Sequence, residues 1–117
     1  MLEASMIAGY ILGEGALTMV APGRECASAC VLLLLAGKRR LVADTASIGV
    51  HGAAMPDGTE NDAALAATTE SARLFAHLGM PPDIVGRVVM TPPGSMYWLS
   101  ADELARMGVS VMPPPPP

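Results

Sequence analysis

The run Val31-Leu-Leu-Leu-Leu-Ala36, closed by Gly37, constrains this chain more than any other stretch. It has no polar face, so the element it forms must be covered on every side. A helix needs roughly twenty apolar residues to cross a bilayer, and this run falls far short of that. It reads as a helix buried in protein, with Gly37 as its stop. A chain of 117 residues can wrap one such core and has no room for a second. Aromatics supply only 3% of residues, so the cover must come from Ala, Leu, Val, Ile and nine Met, side chains that pack closely and adaptably.

Periodicity and punctuation give the rest of the order. Residues 2–13 read as a helix, with Leu2, Met6 and Tyr10 recurring at helical spacing, and Ile7 and Ile11 one turn offset. Leu17 to Ala21 reads as a short buried strand that Pro22 and Gly23 turn away. The buried helix starts after Ser28. Strands follow over Arg40 to Ala43 and Ile48 to His51, separated by a turn composition from Asp44 to Ser47. After a polar loop, Gly52 to Asn61, residues 62–79 carry Leu65, Thr69, Ala72, Phe75, Ala76 and Leu78 on one broad helical face. A short helix opens at Pro81-Pro82-Asp83 and breaks at Pro92-Pro93-Gly94. Met96 to Leu99 suits a strand. Ser100 and Glu103 then form a capping box for a helix ending at Gly108, and Val109 to Val111 suits a last strand. Such alternation implies an α/β domain over residues 1–112 with a mostly parallel sheet and flanking helices. Residues 113–117 are a polyproline II tail.

Composition excludes several functions. A net charge of −4, with Lys38-Arg39-Arg40 as the sole basic run, gives no clustered surface for nucleic acid. That run reads as a solvated turn. No lysine-bearing glycine loop offers a phosphate site, and the histidines are too far from the cysteines in sequence for a zinc set. No cofactor is implied. Cys26 and Cys30 read as buried free thiols, with a disulfide as the alternative. The opening Met1-Leu-Glu-Ala-Ser5 lacks a basic start and apolar block, so the chain as written reads as cytoplasmic.

Two side chains carry candidate chemistry. Ser28 lies at the mouth of the buried helix, where the Ala29 amide faces outward at the positive end of the helix dipole and can stabilise an oxyanion. The competing role is simple, since serine is a favoured N-cap, and spacing alone favours it. His51 ends a strand, at the carboxyl edge where α/β sites assemble, and is either a general base or a histidine satisfied by a backbone carbonyl. His77 reads as surface or packing within its helix.

Glu25-Cys-Ala-Ser-Ala-Cys30, the apolar helix into Gly37, Arg40, and Ala46-Ser-Ile-Gly-Val-His51 together resemble the ClpP-like serine peptidase group. The likeness is nearest to its bacterial periplasmic or membrane-associated members. The segment Pro92 to Gly108 also resembles the end of that domain. The resemblance implies a ClpP/crotonase-like fold, Ser28 as nucleophile, His51 as base, Ala29 as oxyanion donor, a peptide or protein substrate, and homo-oligomers. A crotonase-type acyl-CoA enzyme shares that fold but not the Ser/His pairing. Two features depart from the pattern. Where the family places the acid that orients the histidine, the chain reads Gly94-Ser95-Met96, so the acid is unknown; Asp102 and Glu103 belong to the capping box, and Asp57 and Asp62 follow His51 in sequence. The family's glycine-rich turn would fall before Met1, which implies that the first strands, and any signal or membrane segment, lie upstream. Membrane association would come only through such segments, and the chain's compartment would then be periplasmic or membrane-associated. Those departures favour the alternative function, an inactive ClpP-like domain serving as an oligomerisation or binding module.

Overall fold

A computed structural model describes residues 2–52 and 62–113. Its elements run α1 (Leu2–Glu14), β1 (Leu17–Val20), β2 (Glu25–Ala27), α2 (Ala29–Ala36), β3 (Arg39–Ala43), β4 (Ser47–Val50), α3 (Asp62–His77), α4 (Pro82–Met90), β5 (Tyr97–Trp98), α5 (Ala101–Arg106) and β6 (Val109–Met112). The polar loop with Asp57 and the last four tail prolines fall at residues 53–61 and 114–117, outside the described residues.

The α/β class holds, but the strands form two sheets rather than one. One sheet has the order β1-β3-β6 and is parallel throughout. In the other, β2 and β4 are parallel while β5 runs antiparallel to β4. Two neighbouring chain segments leave the first sheet side by side to make the second. The β1–β2 link turns at Pro22-Gly23, where Gly23 has φ 72°, and the β3–β4 link turns at Asp44 and Thr45. The two turns are stitched together, with Gly23 N donating to Thr45 Oγ1 at 3.0 Å and Ser47 N to Arg24 O at 2.9 Å. Strand β2 escapes sequence reading because three residues that begin with an exposed glutamate carry no alternation signal.

Within α2, Val31, Leu32, Leu34, Leu35 and Ala36 are all buried. Helix α1 packs on it through Ala8, with Ala4 and Ile11 alongside, while Met6 and Tyr10 are 69% and 70% exposed. Of the expected apolar positions Ile11 packs, while Met6, Ile7 and Tyr10 turn outward. Small side chains let α1 approach the leucine ridges of α2 closely, and the bulkier row turns outward. The face expected over residues 62–79 is corrected in part: Phe75 is buried and Leu78 packs on the core as expected, but Leu65 is exposed and Ala64, Thr68 and Ser71 face inward instead. Thr68 and Ser71 are tolerated inside because each hydroxyl donates to the carbonyl four residues back, Ala64 O and Ala67 O, both at 3.0 Å.

Arg40 is no part of a solvated turn. Its guanidinium donates from Nε to Gly37 O at 3.2 Å, from Nη1 to Met107 O at 2.6 Å and from Nη2 to Leu78 O at 3.1 Å. These carbonyls close α2, follow α3 and cap α5, so one cation meets the negative ends of three helices. Burial pulls its pKa below the ordinary arginine value. Gly37 does stop α2, but in an extended conformation at φ −67°, ψ 142°. Glycine is needed there because a Cβ would run into Thr18, whose Oγ1 donates to Leu34 O at 2.8 Å.

Arg40→Met keeps the aliphatic stem and leaves the three carbonyls without their shared donor. Urea unfolding of this variant is expected to show a loss of about 2–3 kcal/mol, with an unchanged slope.

Candidate active site

Strand β2 stops at Ala27 and α2 starts at Ala29, so Ser28 alone redirects the chain. It does this at φ 54°, ψ −115°, and among the described residues it is the one non-glycine with positive φ. Such a conformation costs on the order of 1–3 kcal/mol and persists only where the surroundings enforce it. Here the Ser28 amide donates to Gly49 O at 3.2 Å, and Ser28 O accepts from Val31 N at 3.0 Å. Gly49 leaves room for its neighbours: a Cβ would lie 2.7 Å from the Met96 Cγ and Sδ and 2.8 Å from Trp98 Cε3, and both side chains would have to move.

The capping role, favoured on spacing alone, is not the one Ser28 takes. Its side chain makes no cap hydrogen bond to α2. The positive φ swings Oγ away from the helix amides, and Oγ lies 2.8 Å from His51 Nε2.

His51 sits one residue past β4, half-buried, rather than inside the strand. Its Nδ1 is 2.5 Å from Gly52 O. A carbonyl only accepts, so Nδ1 carries the ring proton and the Nε2 lone pair faces the Ser28 hydroxyl. The carbonyl is itself held in place, because Gly52 N donates to Thr91 O at 2.9 Å at the end of α4. A Cβ on Gly52 would press to 3.3 Å from the same Thr91 oxygen. The spacing from His51 to Pro92 gives no hint of this tether.

The carboxylates near this region in sequence are engaged or exposed. Glu103 accepts from Ser100 N at 2.9 Å and from Tyr97 Oη at 3.0 Å, which completes the expected capping box. Partial burial pushes its pKa up, but these hydrogen bonds outweigh that and hold it below the usual value. Asp102 is exposed on α5, and Asp62 is exposed at the start of α3. Asp57 lies outside the described residues. His77 ends α3 on an exposed face, apart from the Ser28–His51 pair.

Ala29 is the first residue of α2, a position whose amide has no carbonyl four residues back within the helix. The free-thiol reading of the cysteines is overturned: Cys26 and Cys30 form a disulfide, with Cα atoms 5.2 Å apart. Folding the chain back at Ser28 brings the end of β2 against the first turn of α2, within the span that a disulfide needs. Among the described residues no cluster of three or more His, Cys, Asp or Glu side chains suits a metal ion, and no helix is long and apolar enough to cross a membrane.

Comparison of the chain with protein-family models, with curated proteins and with solved structures gave no match.

Strain at Ser28 has a measurable signature. Replacing the hydroxyl removes the contact with His51 in both Ser28→Ala and Ser28→Gly, but only glycine relaxes the backbone. Ser28→Gly is expected to be the more stable of the two by about 1 kcal/mol, the reverse of the usual order. Paired urea melts of the two variants check this.

Proposed function

We propose that the chain is a ClpP-like serine hydrolase that cleaves peptide bonds, with a ClpP/crotonase-like fold, Ser28 as nucleophile and His51 as general base. The observation that carries this reading is the strained Ser28, which gives up helix capping to hold Oγ 2.8 Å from His51 Nε2. Strained turns from a strand into a helix are a recurrent way to present a serine nucleophile.

The steps follow from the placement. Nε2 takes the Ser28 proton as Oγ attacks the scissile carbonyl carbon. The carbonyl oxygen becomes an oxyanion, which the Ala29 amide at the N-terminus of α2 stabilises. The bond to the leaving amine breaks, and the imidazolium returns its proton to that nitrogen. Water, deprotonated by the same Nε2, then frees the acyl group from Oγ. No metal or cofactor takes part in these steps. The substrate is a peptide or protein, and the assembled form is a homo-oligomer. The reading assigns no nucleic-acid role.

One observation favours a second reading, an inactive domain of the same type acting as an oligomerisation or binding module. Among the described residues the hydrogen-bond partner of His51 Nδ1 is a backbone carbonyl and not a carboxylate.

A fluorophosphonate probe separates the two readings. On the enzyme reading it labels the wild-type protein, Ser28→Ala abolishes the label, and His51→Ala slows labelling by about 10²–10⁴-fold. Unlabelled wild type that forms a stable oligomer by light scattering supports the binding module instead.

A further inference from the structure

The disulfide encloses two of the three residues to which the proposed mechanism gives work. Cys26 and Cys30 are four positions apart, and the covalent ring they close contains Ala27, Ser28 and Ala29. Both the nucleophile and the oxyanion amide are therefore inside it.

Each end of the ring is anchored differently. Cys26 is fully buried in β2 and pairs in register with Ile48 of β4. Cys30 lies in the first turn of α2, on its exposed side. That turn lacks the side-chain cap that ordinarily holds a helix start together, because Ser28 has turned its hydroxyl to His51. The backbone at Ser28 meanwhile gains by relaxing toward negative φ. Relaxation requires Ala29 and Cys30 to move relative to β2, and the disulfide is the covalent link that opposes this motion. The bridge is also approachable by small thiols from its Cys30 end. Cys30 is exposed, and a cavity of about 240 Å³ opens beside the bridge, lined by both cysteines with Met19, Val20 and Leu33 among its walls.

We propose that the Cys26–Cys30 disulfide is a positioning element that holds Ser28 Oγ against His51 Nε2 and the Ala29 amide outward, so that the site is assembled in the oxidised protein and disassembled by thiol reduction. The role of Ser28 as nucleophile comes from the proposed function, and the positioning role deepens it. In the switching step a dithiol reductant forms its own disulfide as the Cys26–Cys30 bond takes up two electrons and two protons, leaving two thiols. Oxidising compartments keep such a bridge closed, and the cytosolic thiol pool opens exposed ones. The chain would thus be silent wherever that pool is reducing.

The test uses the whole chain with its histidines labelled with ¹⁵N, with and without dithiothreitol, and reads two quantities. The first is the His51 Nε2 resonance, which reports the Ser28 hydrogen bond whether or not the protein is an enzyme. Reduction is expected to move it to the position seen in Ser28→Ala, and reoxidation to return it. The second is the fluorophosphonate labelling rate, expected to fall at least tenfold on reduction while helix content by circular dichroism is kept. An unmoved Nε2 resonance together with an unchanged labelling rate overturns the positioning role and leaves the hydrolase reading intact. Oxidised protein that takes no label overturns the hydrolase reading, and the resonance still decides the clamp. Where reduced wild type loses helix content, Cys30→Ala carries the same comparison, since it removes the bridge and keeps the buried Cys26 side chain in the core.

Discussion

A helix with no polar face has to be enclosed, and this fold is built to enclose α2. Helix α1 lies along it, α3 touches it, and strands from both sheets pack against it. Enclosure leaves only the two ends of α2 near other chemistry. At the closing end, Arg40 collects carbonyls from the ends of three helices, so the termini of α2, α3 and α5 share one cation. At the opening end no such partner exists among its side chains, and Ser28 and the disulfide take its place. The site therefore sits where burial has fixed the helix axis and where the first turn still needs a tether.

The paired bend of the two sheets determines what meets that opening end. Strands β2 and β4 are parallel, with Ala27 opposite Gly49. Ser28 and His51 each lie just past the carboxyl end of their strand, so neighbouring strands deliver them to the same edge. In α/β sheets that edge is where side chains from different segments converge. Antiparallel β5 closes the far side of β4 and lays Trp98 over Gly49, so a side chain at that position would have to displace it. Gly49 in turn offers the carbonyl that steadies the Ser28 amide.

What the sequence made legible divides along physical lines. Signals that depend on local chemistry survive folding: the all-apolar α2, the capping box at Ser100 and Glu103, and the proline breaks all appear where spacing puts them. Signals that depend on which face meets a neighbour do not. In α1 the bulky Met6 and Tyr10 turn outward and Ala8 packs on α2, while in α3 Phe75 is buried as its bulk requires but intrahelical hydroxyl bonds also allow Thr68 and Ser71 inside. Arg40 looked like surface charge because nothing local marks three distant carbonyls that converge on it. Ser28 and His51 were legible as candidates, but their pairing across 23 residues depends on the bend into the second sheet, and β2 is too short to announce that bend. The disulfide was obscured for the same reason, since its closure needs the chain to reverse at Ser28.

The partner of His51 Nδ1 bears most directly on how well such a site can work. A carboxylate in that position does two separable things: it fixes the tautomer and orientation of the ring, and its charge stabilises the imidazolium that forms during proton transfer. The Gly52 carbonyl supplies the first in full, because an acceptor at Nδ1 forces the proton there and leaves Nε2 free to act as base. The Gly52 amide's hydrogen bond to Thr91 O, at the end of α4, helps hold that peptide in place. Of the second it supplies only a dipole. Placing the ring incorrectly is the more damaging failure, since a base whose lone pair faces away from the serine accepts no proton at all. The carbonyl thus retains the geometric part of the carboxylate's role and gives up much of the electrostatic part. On the proposed hydrolase reading, turnover would be slow, and limited by charge stabilisation in the transition state rather than by the encounter of Ser28 with His51.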